Sequence, residues 1–185
     1  MPSAYRYEVD GELPPIMTPD EFAAATGGTL SATTETVDWA LGAYSDAIRR
    51  QCGWHVAPSL ACAYVADGGR LIRLPAMSVS SVDSVSVGGE AVDPECYEWS
   101  QDGLVRFVRP CAALRAGWRG VTVRYVAGSD AMGALQSTLV ALVSEFLVGH
   151  PGISSQTAGG TQVSYSAQQG VMAHSAELAP YRLVT

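Results

Sequence analysis

With 185 residues, 48% of them hydrophobic and 16% charged, the chain has material for one domain, or one with an appendage, and enough apolar side chain for a core. Its net charge is −7 and all 11 basic residues are arginine. That balance, read as lacking a basic cluster, argues against wrapping nucleic acid, because phosphate neutralisation dominates such affinity. The four cysteines show no CxxC pair and fit neither a zinc site nor a dense disulfide framework. No charged-then-apolar leader opens the sequence, so the expectation is a cytoplasmic product with reduced, mostly buried thiols.

In chain order, residues 1–17 are aperiodic and read as an N-terminal arm. Thr18-Pro19-Asp20-Glu21 then opens a short helix over 18–27. Threonine caps it, proline takes the first helical position, glutamate closes a capping box, and Gly27-Gly28 stops it. A second helix is expected over 34–52. Val37, Leu41, Tyr44, Ile48 and Cys52 form its apolar stripe, Glu35 and Asp38 lie in its first turn, and Arg49 and Arg50 in its last, as the helix dipole favours. Gly53 ends it, and Trp54, His55 and Pro58 make a tight aromatic exit.

Between 60 and 126 the pattern becomes extended. Residues 61–66 and 71–74 around Asp67-Gly68-Gly69 read as a hairpin. So do 82–87 and 90–92 around Gly88-Gly89, and 97–100 and 104–108 around Gln101-Asp102-Gly103. Residues 120–126 alternate, with Val121, Val123 and Tyr125 on one face and Thr122 and Arg124 on the other. The strands need cover on one face, and the helix that follows is the natural candidate.

That helix, over 130–149, is the longest apolar segment, and Leu135, Leu139, Leu142, Val143, Phe146 and Leu147 recur at three- and four-residue spacing. Ser129 or Asp130 can cap it, and Gly149 and Pro151 end it. It is too short and too interrupted to span a membrane, so it is a core helix or one shared between subunits. Residues 152–185 read as an extended arm, a polar spacer separable from the core. Val163 and Tyr165 alternate within it, and Leu178, Tyr181 and Leu183 give it an apolar tip. The fold class is α+β, with a core over 18–151.

The search for chemistry finds little. Cys52 and His55 lie three residues apart, but at a helix C-terminus, the electrostatic end that does not activate a thiol. His150 and His174 have no ligands at metal spacing. Asp93, Glu95 and Glu98 cluster as a solvated turn would, and the Gly-Gly pairs never form a phosphate loop. Trp54, Trp99 and Trp118 lack the basic groove of a single-strand platform. No cofactor, metal or catalytic residue is expected.

The order of parts carries more. A capped helix TPDEFAAATGG precedes an amphipathic helix ending in CGWHVAPS. After it come LIRLPAMSVSSVDSVSVGGEAV, YEWSQDGLVRF, VTVRYVAG and the long apolar helix, then GGTQVSYS and the closing LAPYRLV. This order, from about Asp20 to Leu183, resembles the head-to-tail adaptor (head completion, or connector) proteins of long-tailed phages, particularly those of actinobacterial hosts. The resemblance implies a non-catalytic virion protein forming a ring, commonly a dodecamer, between portal and tail. Its partners would be its own copies, the portal protein, the next neck protein (the stopper), and double-stranded DNA passing through the lumen without specific binding. The C-terminal segment would grip the portal through Val163, Tyr165, Leu178, Tyr181 and Leu183. The long helix would contribute Leu135 to Leu147 to the core or a subunit contact. Localisation would be the virion neck, and the host cytoplasm during assembly. The alternatives are a stopper or tail terminator and, further off, a cysteine enzyme using Cys52 and His55.

Overall fold

The computed structural model describes residues 7–28, 33–130, 133–149 and 170–183. It is an α+β protein with antiparallel sheets and a long helix. Its described residues fall into two compact units. One, mostly β, takes residues 7–13, 53–130 and 183; the other, helical, takes 14–28, 33–52, 133–149 and 170–182.

The helical unit begins with α1 (Pro19–Ala25). Thr18 Oγ1 accepts from the Glu21 N–H, and the Glu21 carboxylate accepts from the Thr18 N–H at 2.7 Å, so the capping box forms as the sequence implies. These hydrogen bonds from Thr18 hold the Glu21 carboxyl below the usual carboxylate range. At the other end Gly28 N–H reaches back to the Ala23 carbonyl, with both glycines in the left-handed region.

Helix α2 (Thr34–Cys52) buries Leu41, Tyr44, Ile48 and Cys52 as expected, and adds Ala40, Ser45, Ala47 and Arg49. Arg49 and Arg50 lie in the last turn as expected. The Arg49 side chain is also 1% exposed and donates to the Pro14 carbonyl at 2.6 Å, so it fastens the preceding segment as well. Ser45 Oγ accepts from the Ile16 N–H beside it.

Helix α3 (Gly133–Gly149) buries Leu135, Thr138, Leu139, Leu142, Val143 and Phe146. Leu147 is half-buried and Val148 is exposed, so the apolar surface is one broad stripe with an uncovered end. Within its unit the stripe is taken up by α2 and by α4 (Ser175–Leu178). The Asp130 carboxylate accepts from the Ser59 N–H at 2.8 Å. Residues 131 and 132 lie outside the described residues.

The β unit holds two sheets. The first has the order β1-β2-β8-β4-β5, with β1 (Glu8–Val9), β2 (Leu60–Ala66), β4 (Val79–Val87), β5 (Glu90–Ala91) and β8 (Val121–Ala127). The second has the order β3-β7-β6, with β3 (Leu71–Arg73), β6 (Tyr97–Trp99) and β7 (Leu104–Phe107). Strand β8 is central to the first sheet and alternates as read: Val121, Val123, Tyr125 and Ala127 are buried, and Thr122 and Arg124 face the other way. The register opposes Cys62 and Val82 to Tyr125, and Tyr64 and Val85 to Val123. Pairing like this, side chain against side chain on one face, is what stabilises an antiparallel ladder.

Two of the three expected hairpins form, β4-β5 and β6-β7. The third does not: β2 pairs with β1 and β8, whereas β3 pairs with β7. The turn at Asp67-Gly68-Gly69 therefore carries the chain from one sheet to the other. Distant contacts impose this. Gly68 N–H donates to the Gly117 carbonyl, Gly69 N–H to that of Ala113, and a Cβ on Gly68 would stand 1.9 Å from the Ala116 carbonyl oxygen. The N-terminal arm is also more structured than its composition implies, since residues 8–9 add a strand to the sheet.

Tyr125 carries a further consequence. Its hydroxyl is buried and has no hydrogen-bond partner among the described residues, and burial pushes the phenol's pKa up. An unpaired buried hydroxyl costs about 1–3 kcal/mol. Tyr125→Phe is thus expected to stabilise the protein by about 1 kcal/mol, seen as a higher urea midpoint; a lower midpoint would mean the hydroxyl is satisfied.

Candidate functional site

The aromatic exit from α2 is a structural clamp. His55 Nδ1 meets the Tyr7 hydroxyl at 2.7 Å and Nε2 meets the Ala127 carbonyl at 2.8 Å. A carbonyl only accepts, so Nε2 carries the proton and Nδ1 accepts from Tyr7. The Tyr7 oxygen in turn accepts from the His55 backbone N–H at 2.8 Å. Both ring nitrogens are thus engaged within the β unit, which ties β1, the end of β8 and residues 53–59 together. Gly128 passes so close that a Cβ there would lie 2.8 Å from Nε2 and 2.3 Å from the Pro58 carbonyl oxygen.

The sulfur chemistry is equally closed. Burial pushes the Cys52 thiol up to about 12, with nearby Arg182 only partly opposing it, and burial alone does the same to Cys62. All four cysteines are free, and Cys96 and Cys111 are half-exposed. A disulfide-exchange reagent at about pH 8 is expected to titrate two thiols in the native protein and four after denaturation. Rapid native reaction of Cys52 would revive the cysteine-enzyme alternative.

The acidic trio is committed to local structure. Asp93 accepts from the Glu95 N–H, while Glu95 and Glu98 each pair with an arginine, Arg109 and Arg106, at 2.7 Å. Among the described residues no group of histidine, cysteine or carboxylate side chains could hold a metal ion.

The residues assigned to a docking arm fare differently from one another. Val163 and Tyr165 lie outside the described residues. Leu178 does not belong to an exposed tip: it is fully buried, α4 packs on α2 and α3, and Val171 is buried as well. An apolar side chain with helices of its own unit to cover it has little left to offer a partner. Deleting the chain beyond 152 would therefore strip core packing, so the segment is not separable as its polar composition implied. Tyr181 and Leu183 remain half-buried. The α3 residues Leu135, Leu139, Leu142, Val143 and Phe146 are core residues, and Leu147 is half-covered.

What the sequence reading passed over is a loop. Residues 103–129 hold five arginines (Arg106, Arg109, Arg115, Arg119 and Arg124) and no carboxylate. The whole-chain charge of −7 hides this interval, which an acid-by-acid scan would have found. Arg106 and Arg109 are neutralised by their glutamates, but Arg115, Arg119 and neighbouring Arg70 are exposed and make no side-chain ion pair among the described residues. Between Arg115 and Arg119 stands Trp118, 90% exposed.

Hydrogen bonds hold the loop in place. Asp67 accepts from the Arg119 N–H at 2.7 Å, keeping that residue at φ 53, which a non-glycine adopts only when its surroundings impose it. Gly120 N–H closes onto the Gly117 carbonyl. A large apolar ring on a pre-set loop flanked by free guanidiniums is the composition of an interaction hot spot.

No protein-family model matches the chain, and no curated protein matches it.

Proposed function

We propose that this chain is a head-to-tail adaptor of a long-tailed phage: a non-catalytic virion protein that assembles as a ring between portal and tail and gives DNA a channel. The observation that carries the reading is the order of its parts. A box-capped α1 leads into α2, which ends at the CGWHVAPS exit; the strand region, the apolar α3 and a closing segment that returns to the helices follow. The chemistry supports a structural role, because the groups that invite a catalytic reading are spent on holding the fold. Cys52 is buried, His55 is clamped by Tyr7 and Ala127, and Glu95 and Glu98 are paired with arginines. A net charge of −7 suits a passage past which DNA slides by repulsion. Among the described residues no helix is long and apolar enough to cross a membrane.

In this reading the partners are further copies of the chain in a twelve-membered ring, the portal above and a stopper below. The site is the virion neck, assembled in the host cytoplasm. With Leu178 committed to the core, portal contact falls to Tyr181, Leu183 and the stretch containing Val163 and Tyr165. The two sheets of the β unit favour one competing assignment, a stopper or tail terminator.

Co-sedimentation with the portal protein of the same genome, followed by negative-stain imaging, separates the two. Rings stacked coaxially on the portal are the expected result. A protein that ignores the portal but binds tail or stopper components would move the assignment down the neck. One that binds neither would end the phage reading.

A further inference from the structure

The structure assigns the Trp118 loop an occupant: we infer that Trp118, Arg115 and Arg119 of one copy dock on the exposed α2 surface around Trp39 of another copy. The inference rests on the ring reading and names the surfaces that would close it.

Each half of the contact is incomplete in the isolated chain, and the two halves are complementary. The loop offers an apolar ring with guanidiniums on either side, and the one carboxylate held against it, Asp67, accepts from the Arg119 N–H. The helical unit offers the opposite. Trp39 is 43% exposed and leans on Phe146, with ring centroids 5.8 Å apart. Glu35 lies one helical turn from Trp39 on the same face of α2, and Asp38 adjoins it; both are exposed and neither carries an ion pair among the described residues. The arginines described in this unit do not offset them: Arg49 is buried, and Arg50 and Arg182 lie towards the far end of α2 and beyond α4. An aromatic-plus-basic loop on an aromatic-plus-acidic face buries apolar area and neutralises charge together.

A patch joined to a different patch on an identical molecule makes a heterologous contact. Such a contact leaves one loop and one face open on every pair, so it propagates until a ring closes.

Nucleic acid suits the same loop less well. Stacking platforms present successive aromatic rings along a basic groove. Here one ring stands with three free arginines on a chain of net charge −7.

The test uses full-length protein in two forms, a loop variant (Trp118→Ala with Arg115→Gln and Arg119→Gln) and a face variant (Trp39→Ala with Glu35→Gln and Asp38→Asn). Thermal melts check that each variant stays folded, Trp39→Ala being the one change that also removes a contact with the core, at Phe146. In analytical ultracentrifugation across a concentration series, wild type is expected to form higher oligomers that weaken with salt. Each variant alone should self-associate at least about tenfold more weakly. Mixed, they should form a one-to-one complex and nothing larger, through the intact loop of one and the intact face of the other.

Wild-type assembly by the loop variant sinks this interface while leaving the ring reading intact. A wild-type chain that stays monomeric throughout sinks both. A loop variant that assembles normally but loses affinity for a labelled single-stranded or duplex oligonucleotide reassigns the loop to nucleic acid.

Discussion

Leu139→Asp is expected to abolish cooperative folding of the helical unit. Leu139 is fully buried in α3, in the stripe that α2 and α4 cover. A carboxylate there has no cation to meet, since the nearby buried polar side chains on α2 and α3 are Ser45, Thr138 and the already committed Arg49. It must stay charged in an apolar surround or take up a proton, and either course, added to lost packing, costs about 5 kcal/mol. That rivals the whole stability of a domain, about 5–15 kcal/mol. The same substitution at exposed Val148, on the same helix, is expected to change stability by under about 0.5 kcal/mol. Urea titrations of the two variants check the contrast. Near-native stability in Leu139→Asp would mean α3 is not the centre of its unit.

The second large effect is expected at a glycine. Gly128 has φ +103, and a Cβ would fall 2.3 Å from the Pro58 carbonyl oxygen and 2.8 Å from His55 Nε2. Neither obstacle yields cheaply. One is backbone, and the other is a ring whose two nitrogens are bonded to Tyr7 and Ala127. Gly128→Ala is therefore expected to cost about 3–5 kcal/mol, as backbone strain and loss of the clamp combine. The identical change at Gly42, inside α2 with open space around it, is expected to gain about 0.5–1 kcal/mol from helix propensity. Opposite signs from one chemical edit would separate conformational strain from any general tolerance to alanine. A Gly128→Ala protein that melts like wild type would remove the clamp from this account.

What the sequence revealed, and what it hid, divides by the range of the deciding interaction. Thr18 and Glu21 are three residues apart, and Gly27 and Gly28 end the same helix, so α1 was legible from its own residues. The boundaries of α2 were legible for the same reason. The turns at Gly88-Gly89 and Gln101–Gly103 close on adjacent strands and were read correctly. The turn at Asp67-Gly68-Gly69 has the same composition, but Ala113, Gly117 and Arg119 decide where it leads, and nothing local points to them. Arg49 was legible as a last-turn cation, but the Pro14 carbonyl that also captures it lies in a segment without periodicity. Leu178 looked like a free tip because the spacer before it is polar. Helices far back in the chain, not its flanks, bury it. The Trp118 loop was visible as an acid-free interval, and the whole-chain total concealed it.

The interleaving of the chain also governs how fast it can fold. The helical unit is assembled from two stretches with all of 53–130 between them. Closing so long a loop by free search carries an entropic penalty that grows with the logarithm of its length. The intervening piece, however, enters and leaves at neighbouring points, because β2 and β8 pair from Leu60 opposite Ala127 to Ala66 opposite Val121. Once that ladder has zipped, α2 and α3 are delivered to each other almost as if a short turn joined them. The rate-limiting event then belongs to the long-range strand pairing, which is slow in its own right. Substitutions that loosen the β2–β8 ladder should delay the helices' association without touching a single residue of either helix.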